Sequence, residues 1–210
     1  MSEPSRTVEV ERKYDVDGST PLPSWDAIPG VDAVTEGEHR ALDARYFDTV
    51  SGDLARAGVA LRRRTGGPDE GWHVKGPRTG DGRIELGWPL GESDELPPQV
   101  AEFVAQWTTA PLIPLARIEN ARTAYLLTGP DGVVAEFVDD RVRGTDLRLP
   151  AGLPAPAPRE WREWEMELGP AAPADEAGRS AFFLAVERAV AAAGGRVSPS
   201  GSKLGRALGF

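Results

Sequence analysis

The sequence has 210 residues, of which 40% are hydrophobic and 27% are charged, and this composition predicts a soluble globular protein with a sizeable core. The net charge of −9 argues against nucleic-acid binding over the outer surface, and the absence of cysteine excludes disulfides, thiolate metal sites and cysteine nucleophiles. With two histidines, a bound metal would depend on carboxylate oxygens, which favours Mg²⁺ or Mn²⁺.

We expect neither a membrane span nor export. No apolar run approaches the roughly 20 residues that cross a bilayer. The first six residues, Met-Ser-Glu-Pro-Ser-Arg, lack the apolar core of a signal peptide, so we expect a cytoplasmic location. We expect a single domain over residues 1–210, and the sequence gives no indication of an oligomeric state.

Period-two alternation of apolar and polar residues dominates the chain and predicts a mainly β fold of the α+β type. About eight antiparallel strands are expected, with two helices inserted late. The predicted strands cover 7–16, 41–49, 58–64, 72–75, 83–88, 115–127, 133–142 and 161–168. The predicted helices cover 95–107 and 173–193. We expect a loop at 151–158, and a loop or short helix at 198–204.

Charged residues alternate on the faces of several predicted strands. The first strand has Glu9, Glu11 and Lys13 on one face and valines on the other. The third strand has Arg62 and Arg64 on one face, with Arg63 opposite. The same alternation gives the polar faces of later strands, whose charged members are Lys75, Arg83, Glu85, Arg122, Glu163, Glu165 and Glu167. Many strands with charged faces predict a barrel with a charged interior.

If the first and last strands are neighbours, their glutamates form a carboxylate cluster. Packed carboxylates repel each other and raise each other's pKa unless a cation lies among them, and a divalent metal is the simplest such cation. Arginine forks on the opposite wall would match phosphate oxygens, so the pattern favours a polyphosphate ligand. The alternative is a lattice of mutual salt bridges, although buried ion pairs usually stabilise less than apolar packing.

These motifs, taken in order, resemble those of the CYTH or triphosphate tunnel metalloenzyme superfamily. The resemblance rests on Glu9-x-Glu11-x-Lys13, Tyr46-Phe47-Asp48-Thr49, Leu61-Arg62-Arg63-Arg64, Trp72-x-x-Lys75, Arg83-x-Glu85, Arg122, Glu136 to Asp140, Glu165-x-Glu167 and Ser202-Lys203. It therefore covers nearly the whole chain. The superfamily includes class IV adenylyl cyclases, thiamine triphosphatases and inorganic triphosphatases.

The resemblance implies an eight-stranded antiparallel β-barrel tunnel with flanking helices that encloses Mg²⁺ or Mn²⁺ and a triphosphate. The implied metal ligands are Glu9, Glu11, Glu165 and Glu167. The implied triphosphate-binding residues are Lys13, Arg62, Arg64, Lys75, Arg83, Arg122, Arg141 and Lys203. Further cavity residues could be Glu85, Glu136, Asp140 and Glu163. Which two of Glu163, Glu165 and Glu167 ligate the metal stays open, and Asp140 and Arg141 cannot both point inward without a bulge.

Three other residues have competing interpretations. Tyr46 matches a tyrosine that some inorganic triphosphatases use with the strand lysine, here Lys75, to orient water, and the alternative is an aromatic residue packed beside Phe47. We expect Asp48 to have a structural role in a turn. His73 shares the face of Lys75, and we expect a hydrogen-bonded polar side chain there.

The function predicted from the sequence is metal-dependent hydrolysis of a small triphosphate, with inorganic tripolyphosphate as the favoured substrate. The alternatives are a class IV-type adenylyl cyclase or a thiamine triphosphatase, either of which needs a pocket for an organic group that the sequence does not reveal. The non-enzymatic alternative is a polyphosphate-binding module. We expect a small-molecule triphosphate as the partner, with no nucleic acid and no membrane.

Overall fold

The structure is a computed structural model that describes residues 3–148 and 156–210, and its strands form one antiparallel sheet. The strands are β1 (Ser5–Glu9), β2 (Glu11–Val16), β3 (Ala33–Val34), β4 (Glu38–Thr49), β5 (Ala60–Thr65), β6 (Gly71–Thr79), β7 (Gly82–Trp88), β8 (Leu112–Gly129), β9 (Gly132–Asp146), β10 (Arg159–Leu168) and β11 (Arg196–Val197). The helices are α1 (Asp53–Arg56), α2 (Pro98–Val104), α3 (Glu176–Ala193) and α4 (Lys203–Leu208).

The N-terminal segment pairs with both ends of the curled sheet. The strand order is β1-β7-β6-β5-β4-β8-β9-β10-β2-β11, and β3 pairs with β8 outside this path. Val10 alone separates β1 from β2, so one short segment contacts β7 on one side and β10 on the other. Within the described residues, β4 to β10 are seven strands, and β1 with β2 counts as an eighth that is interrupted at Val10. This count confirms the predicted β-rich fold with flanking helices.

Two helices cover the outer face of the sheet. The outer side chains of β2, β9 and β10, among them Tyr14, Phe137 and Trp164, are completely buried against α3. On the other side, Leu61 and Trp72 pack with α2. Burial of each such side chain contributes about 1.5–3 kcal/mol, so the outer face stabilises the sheet while the inner face is left for polar residues.

The helix α4 packs on the inner side of the sheet. Its Ala207, together with Leu204 and Leu208, contacts an apolar patch that includes Tyr46 and Ile118. Two arginines hold its end, because Arg159 donates to the carbonyl of Ala207 at 2.5 Å and Arg148 donates to that of Leu208 at 3.2 Å. This helix therefore closes part of the space enclosed by the strands.

Most predicted boundaries agree with the structure to within a few residues, and the differences have local causes. The strand predicted at 72–75 is too short, because a bulge between Lys75 and Arg78 allows β6 to continue to Thr79. The short elements β3, β11 and α1 were not predicted. The predicted loop at 151–158 lies mainly outside the described residues, and residues 156–158 have no regular structure.

Asp48 has the structural role expected from the sequence. Its carboxylate oxygens accept hydrogen bonds from the backbone N–H groups of Thr49, Leu54 and Ala55 at 2.7–2.9 Å. These bonds hold the turn that carries α1. Among the described helices, none combines the length and apolar character needed to cross a membrane.

Candidate active site

The inner face of the sheet encloses a cavity of about 780 Å³ with a mixed charged lining. Among the described residues, eight cationic side chains line it: Lys13, Arg40, Arg62, Arg64, Lys75, Arg83, Arg122 and Lys203. Seven acidic side chains also line it: Glu9, Glu11, Asp69, Glu85, Glu136, Glu165 and Glu167. The cations come from six strands and α4, so closure of the sheet is what brings them together.

The pairing of β2 with β10 builds the acidic wall. Lys13 lies opposite Glu165 and Glu11 lies opposite Glu167. The Lys13 ammonium contacts the Glu165 carboxylate and lies 3.2 Å from that of Glu11. Burial acts to raise the pKa of Glu165, but Lys13, Lys203 and Arg122 lower it well below its usual range. The first and last long strands are therefore neighbours, as the sequence analysis assumed.

Glu167 lies in the same wall without a compensating cation. No lysine or arginine nitrogen of the described residues lies within 4.0 Å of its carboxylate. Burial and the charge of Glu9 raise the pKa of Glu167 to about 7, against a smaller opposing effect of Lys75. At neutral pH this part of the cavity therefore has an excess of negative charge that a bound cation would relieve.

The first residue of α4 brings an ammonium group into a second acidic cluster. Ser202 caps the helix by accepting a hydrogen bond from the Gly205 N–H at 3.0 Å. The Lys203 ammonium then lies 2.7–2.8 Å from the carboxylates of Asp140, Glu163 and Glu165. Oxygens of these three residues lie within 4.8 Å of one another, so they form a potential metal-binding group in which an ammonium already lies.

The structure therefore groups the predicted metal ligands differently from the sequence analysis. All four, Glu9, Glu11, Glu165 and Glu167, line the cavity. Within the described chain, however, only Glu165 of that set belongs to the group whose oxygens converge within 4.8 Å. The other two members are the residues that the sequence analysis treated as additional, Asp140 and Glu163. Spacing along a single strand could not reveal this convergence, because it depends on the register in which β9, with Asp140, pairs with β10, with Glu163 and Glu165.

Arginine and lysine side chains of the opposite wall are held by carboxylates. Arg62 lies 3.2 Å from Glu85, and Lys75 lies 2.5 Å from Glu9 and 3.2 Å from Glu85. Burial acts to lower the pKa of Lys75, but Glu85 and Glu9 raise it above its usual range. Both cations therefore stay charged inside the cavity.

Arg122 connects this wall to the acidic one. Its guanidinium makes two hydrogen bonds to Asp140, at 2.8 and 2.7 Å, and one to Glu165 at 2.9 Å. Asp140 is completely buried, whereas Arg141, the next residue along β9, is exposed on the outer face. Because β9 has no bulge at this point, only one of the two can point inward. The expectation that Arg141 binds triphosphate is wrong for this reason.

The other predicted cavity residues lie where the alternation placed them. Arg83 donates to the carbonyls of Gly76 at 2.5 Å and Gly58 at 3.0 Å. Glu136 lies 3.4 Å from Arg40, a lining residue that sequence reasoning missed. Arg40 is in phase with the inward side chains of β4, but the predicted strand began one residue later. An earlier strand start would have included it.

Tyr46 and His73 also line the cavity. The Tyr46 hydroxyl lies 3.5 Å from a guanidinium nitrogen of Arg62. Burial acts to raise the pKa of Tyr46, but Arg62 and then Lys75 lower it below its usual value. Both ring nitrogens of His73 have partners, the Glu85 carboxylate at 2.7 Å and the Asp69 carbonyl at 2.9 Å. His73 is thus a hydrogen-bonded polar side chain, in line with the sequence expectation.

A comparison with protein families identifies the fold that builds this cavity. The family model of the CYTH domain matches residues 7–188. This chain belongs to the CYTH domain family. Members of this family act on small triphosphates and include triphosphatases and adenylyl cyclases, and they depend on a metal. The resemblance inferred from the sequence motifs is therefore confirmed.

Relatives of this CYTH protein include longer proteins. Two uncharacterized proteins of Mycobacterium tuberculosis, MT2285 from strain CDC 1551 / Oshkosh and Rv2226 from strain ATCC 25618 / H37Rv, are each 40% identical to it over 213 residues. The match covers 98% of this chain and 41% of each relative. The chain therefore spans about two fifths of the length of these curated relatives.

Solved structures share the CYTH fold at low sequence identity. A provisionally assigned adenylate cyclase from Bacillus halodurans has a TM-score of 0.63 and 17% identity over 96% of this chain and 97% of its own. The PH1819 protein from Pyrococcus horikoshii OT3 has a TM-score of 0.56 and 16% identity over 95% and 98%. HpAC1 from Hippeastrum, a provisionally assigned adenylyl cyclase described as having a dominant triphosphatase activity, has a TM-score of 0.52 and 17% identity over 96% and 94%. These likenesses show the fold alone.

Removal of the unpaired charge at Glu167 should stabilise the metal-free protein. The pKa of Glu167 is raised to about 7 in the folded protein, above the value of about 4.5 in the unfolded chain. The protonated carboxyl therefore contributes its full stability below about pH 4.5, and this contribution is lost as pH rises through 7. Glu167→Gln should therefore raise the free energy of unfolding at pH 8 by up to about 3 kcal/mol, and by little at pH 4.5. Urea unfolding in EDTA at both pH values measures this.

A matched control is available on the same strand. Glu160 lies on β10 with its side chain 74% exposed, so Glu160→Gln removes one charge from the outer surface and should leave the unfolding free energy nearly unchanged. Equal stability of the wild type and Glu167→Gln at pH 8 would contradict the excess of negative charge in the acidic wall.

The alternation on β5 predicts unequal effects of its three arginines. Arg62 and Arg64 line the cavity, whereas Arg63 pairs with Asp94 at 2.6 Å outside the cavity lining. Loss of a charge-assisted contact at about 1.5–3 kcal/mol should weaken polyphosphate binding about tenfold to a hundredfold in Arg62→Ala and Arg64→Ala. Arg63→Ala should change it much less, and calorimetric titration measures all three. Equal losses would mean that this strand does not present its side chains as described.

Proposed function

We propose that this CYTH domain hydrolyses a small triphosphate in a reaction that depends on Mg²⁺ or Mn²⁺, with inorganic tripolyphosphate as the preferred substrate. The observation that carries the proposal is the convergence of eight cationic side chains on one cavity of about 780 Å³. Most protein cavities are lined mainly by apolar residues, so this density of charge indicates a compact polyanion as the ligand. A triphosphate has oxygens on three phosphorus atoms and can contact several cations at once.

In this proposal the strand cations hold the substrate. Arg62, Arg64 and Arg122 offer guanidinium forks that match phosphate oxygens, and they come from two different strands. Lys13, Lys75 and Lys203 offer point charges from β2, β6 and α4. In the structure several of these cations pair with carboxylates of the cavity, and oxygens of a bound substrate would replace some of these carboxylates. Such fixed cations stabilise charge that develops on the phosphoryl group without further reorganisation.

The acidic wall fits a divalent cation. We propose that Glu9, Glu11, Glu165 and Glu167 hold it, because the raised pKa of Glu167 indicates a carboxylate without a positive neighbour. The alternative group of Asp140, Glu163 and Glu165 already surrounds the Lys203 ammonium. A bound Mg²⁺ or Mn²⁺ would neutralise phosphate charge and polarise the scissile phosphorus–oxygen bond.

Tyr46 and Lys75 are the proposed catalytic residues. The Tyr46 hydroxyl lies beside Arg62, and Arg62 and Lys75 lower its pKa against the effect of burial. A hydroxyl and an ammonium of this kind can hold an attacking water by hydrogen bonds and orient it toward the terminal phosphorus. Tyr46→Phe should therefore slow turnover more than it weakens binding.

A second candidate function is favoured by the apolar part of the cavity. Side chains that include Leu42, Leu115, Ile118, Leu204 and Leu208 line the same space as the charged residues. The sequence analysis identified no pocket for an organic group, and this patch offers one beside α4. An adenylyl cyclase or an organic triphosphatase would use it, while inorganic tripolyphosphate would not. Phosphate release and cyclic AMP formation therefore need to be measured together.

Metal dependence is a second prediction of this proposal, beside the effect of Tyr46→Phe. Activity on tripolyphosphate should require Mg²⁺ or Mn²⁺, disappear in EDTA and return when the metal is restored. Glu9→Gln and Glu11→Gln should each abolish most activity, because each removes a proposed metal ligand. Phosphate release measures this, with Glu160→Gln as the control. Full turnover by the wild type in EDTA would overturn the metal requirement.

Substrate preference is a further prediction of the proposed function. A cavity that binds chiefly phosphate oxygens should favour tripolyphosphate over ATP by at least about tenfold in kcat/KM, which corresponds to about 1.4 kcal/mol. Pyrophosphate should be a poor substrate, because it is too short to contact both walls. The measurement is phosphate release from tripolyphosphate, ATP and thiamine triphosphate, with cyclic AMP assayed in parallel. Cyclic AMP as the main product, with tripolyphosphate acting only as an inhibitor, would favour the cyclase.

A further inference from the structure

The connection between β5 and β6 reaches over the edge of the cavity. Gly66 and Gly67 start it, both with positive φ angles, of 77° and 79°. A Cβ atom at Gly66 would collide with the backbone carbonyl of Ala41, so the base of this hairpin packs closely on β4. Beyond this base, Pro68 and Asp69 line the cavity. The hairpin thus places an acidic side chain beside the predicted phosphate-binding residues.

Asp69 is bound to two residues of the cavity wall. Its carboxylate pairs with the guanidinium of Arg64. Its backbone carbonyl accepts a hydrogen bond from Arg64 at 3.2 Å and lies 2.9 Å from Nε2 of His73. The two partners of the ion pair differ in exposure, since the side chain of Arg64 is 7% exposed and that of Asp69 is 57% exposed. The guanidinium is therefore fixed in the wall, while the carboxylate lies at the solvent side.

Arg64 lies where a negative charge is strongly favoured. Burial, and after it the repulsion from Arg62, lowers the pKa of Arg64 to about 9, and Arg122 adds to the effect. Its Nε atom is buried and has no hydrogen-bond partner among the described residues. Within the described part of the chain, Asp69 supplies the one carboxylate within 4.0 Å of this guanidinium. Arg64 thus has an exposed, weakly held partner and an unused donor.

We propose that Asp69 is an internal competitor for the phosphate site, which occupies Arg64 in the free protein and is displaced by a phosphate group of the bound substrate. The inference rests on the proposed function and adds a residue that sets its affinity. A phosphate carries more charge than a carboxylate and can bind the guanidinium fork through two oxygens, so it is the stronger partner. The apparent dissociation constant then equals the intrinsic one divided by the fraction of molecules in which Arg64 is free.

A competitor of this kind also makes the site selective. An anion that contacts Arg64 has to displace Asp69 before it gains that contact. A ligand with several phosphate groups can offset this through its other contacts, whereas a single phosphate or sulfate ion has few others to use. Asp69 therefore favours polyphosphates over the abundant simple anions.

The test compares Asp69→Asn with the wild type. Asparagine keeps the shape of the side chain and the backbone carbonyl contacts while it removes the negative charge. The dissociation constant for tripolyphosphate, measured by calorimetric titration in EDTA, should fall about two- to tenfold, as expected for loss of an ion pair with one exposed partner. In the presence of Mg²⁺, KM for tripolyphosphate should fall by a similar factor.

Two controls isolate the effect. Asp81→Asn removes the same charge from the turn between β6 and β7, which does not line the cavity, and should leave binding unchanged. In an Arg64→Gln background, Asp69→Asn should no longer improve binding, because its partner is absent. Thermal unfolding of each variant confirms that it is folded.

The direction in which Asp69→Asn changes the dissociation constant for tripolyphosphate distinguishes a competitor from a residue with a purely structural role. A residue that only held the hairpin in place would weaken binding when replaced, so equal or weaker binding by Asp69→Asn would overturn the inference while the proposed function stands. A gain that persists in the Arg64→Gln background would overturn it as well. Failure of both the wild type and Asp69→Asn to bind tripolyphosphate in EDTA and to hydrolyse it with Mg²⁺ would overturn the proposed function, and this inference with it.

Discussion

Charges of one sign cannot be gathered inside a protein unless charges of the other sign lie beside them, and this constraint shapes the whole inner face of the sheet. Arg122 and Lys203 remain protonated because Asp140, Glu163 and Glu165 surround them. Buried ion pairs seldom stabilise a fold more than apolar residues would. We therefore explain this network of buried ion pairs by a charged ligand that would replace some of the partners, and not by a gain in stability.

Within the described part of the chain, Glu167 and Arg64 are poorly compensated members of this network of charges, and they lie on different walls. Glu167 has a raised pKa and no cationic partner among the described residues, whereas Arg64 is a buried guanidinium with an exposed partner. One position favours an added positive charge and the other an added negative charge. A divalent cation together with a polyanion would satisfy both. This complementarity connects the metal-dependent chemistry of the family to particular side chains of this chain.

The sequence predicts much of this arrangement because alternation along a strand is a local property. The inward positions of Arg62 and Glu165 follow from their spacing, and so does the outward position of Arg63. Contacts between distant segments do not follow from spacing. The place of Lys203 among three carboxylates depends on how α4 packs against the sheet, and the pairing of Asp69 with Arg64 depends on the path of a hairpin. Alternation allowed only one of Asp140 and Arg141 to point inward without a bulge, and the structure places Asp140 there.

The way in which the N-terminal segment pairs has a consequence for how the molecule assembles. Lys13 and Glu165 meet although 152 residues separate them in sequence, so their contact closes a very long loop. Contacts of this kind form late and slowly, because the entropy of a long chain segment is lost before any stabilising contact is gained. The seam between β2 and β10 is also where the acidic wall forms. The carboxylates that these two strands contribute, which we propose as metal ligands, are therefore brought together only when this long-range contact closes.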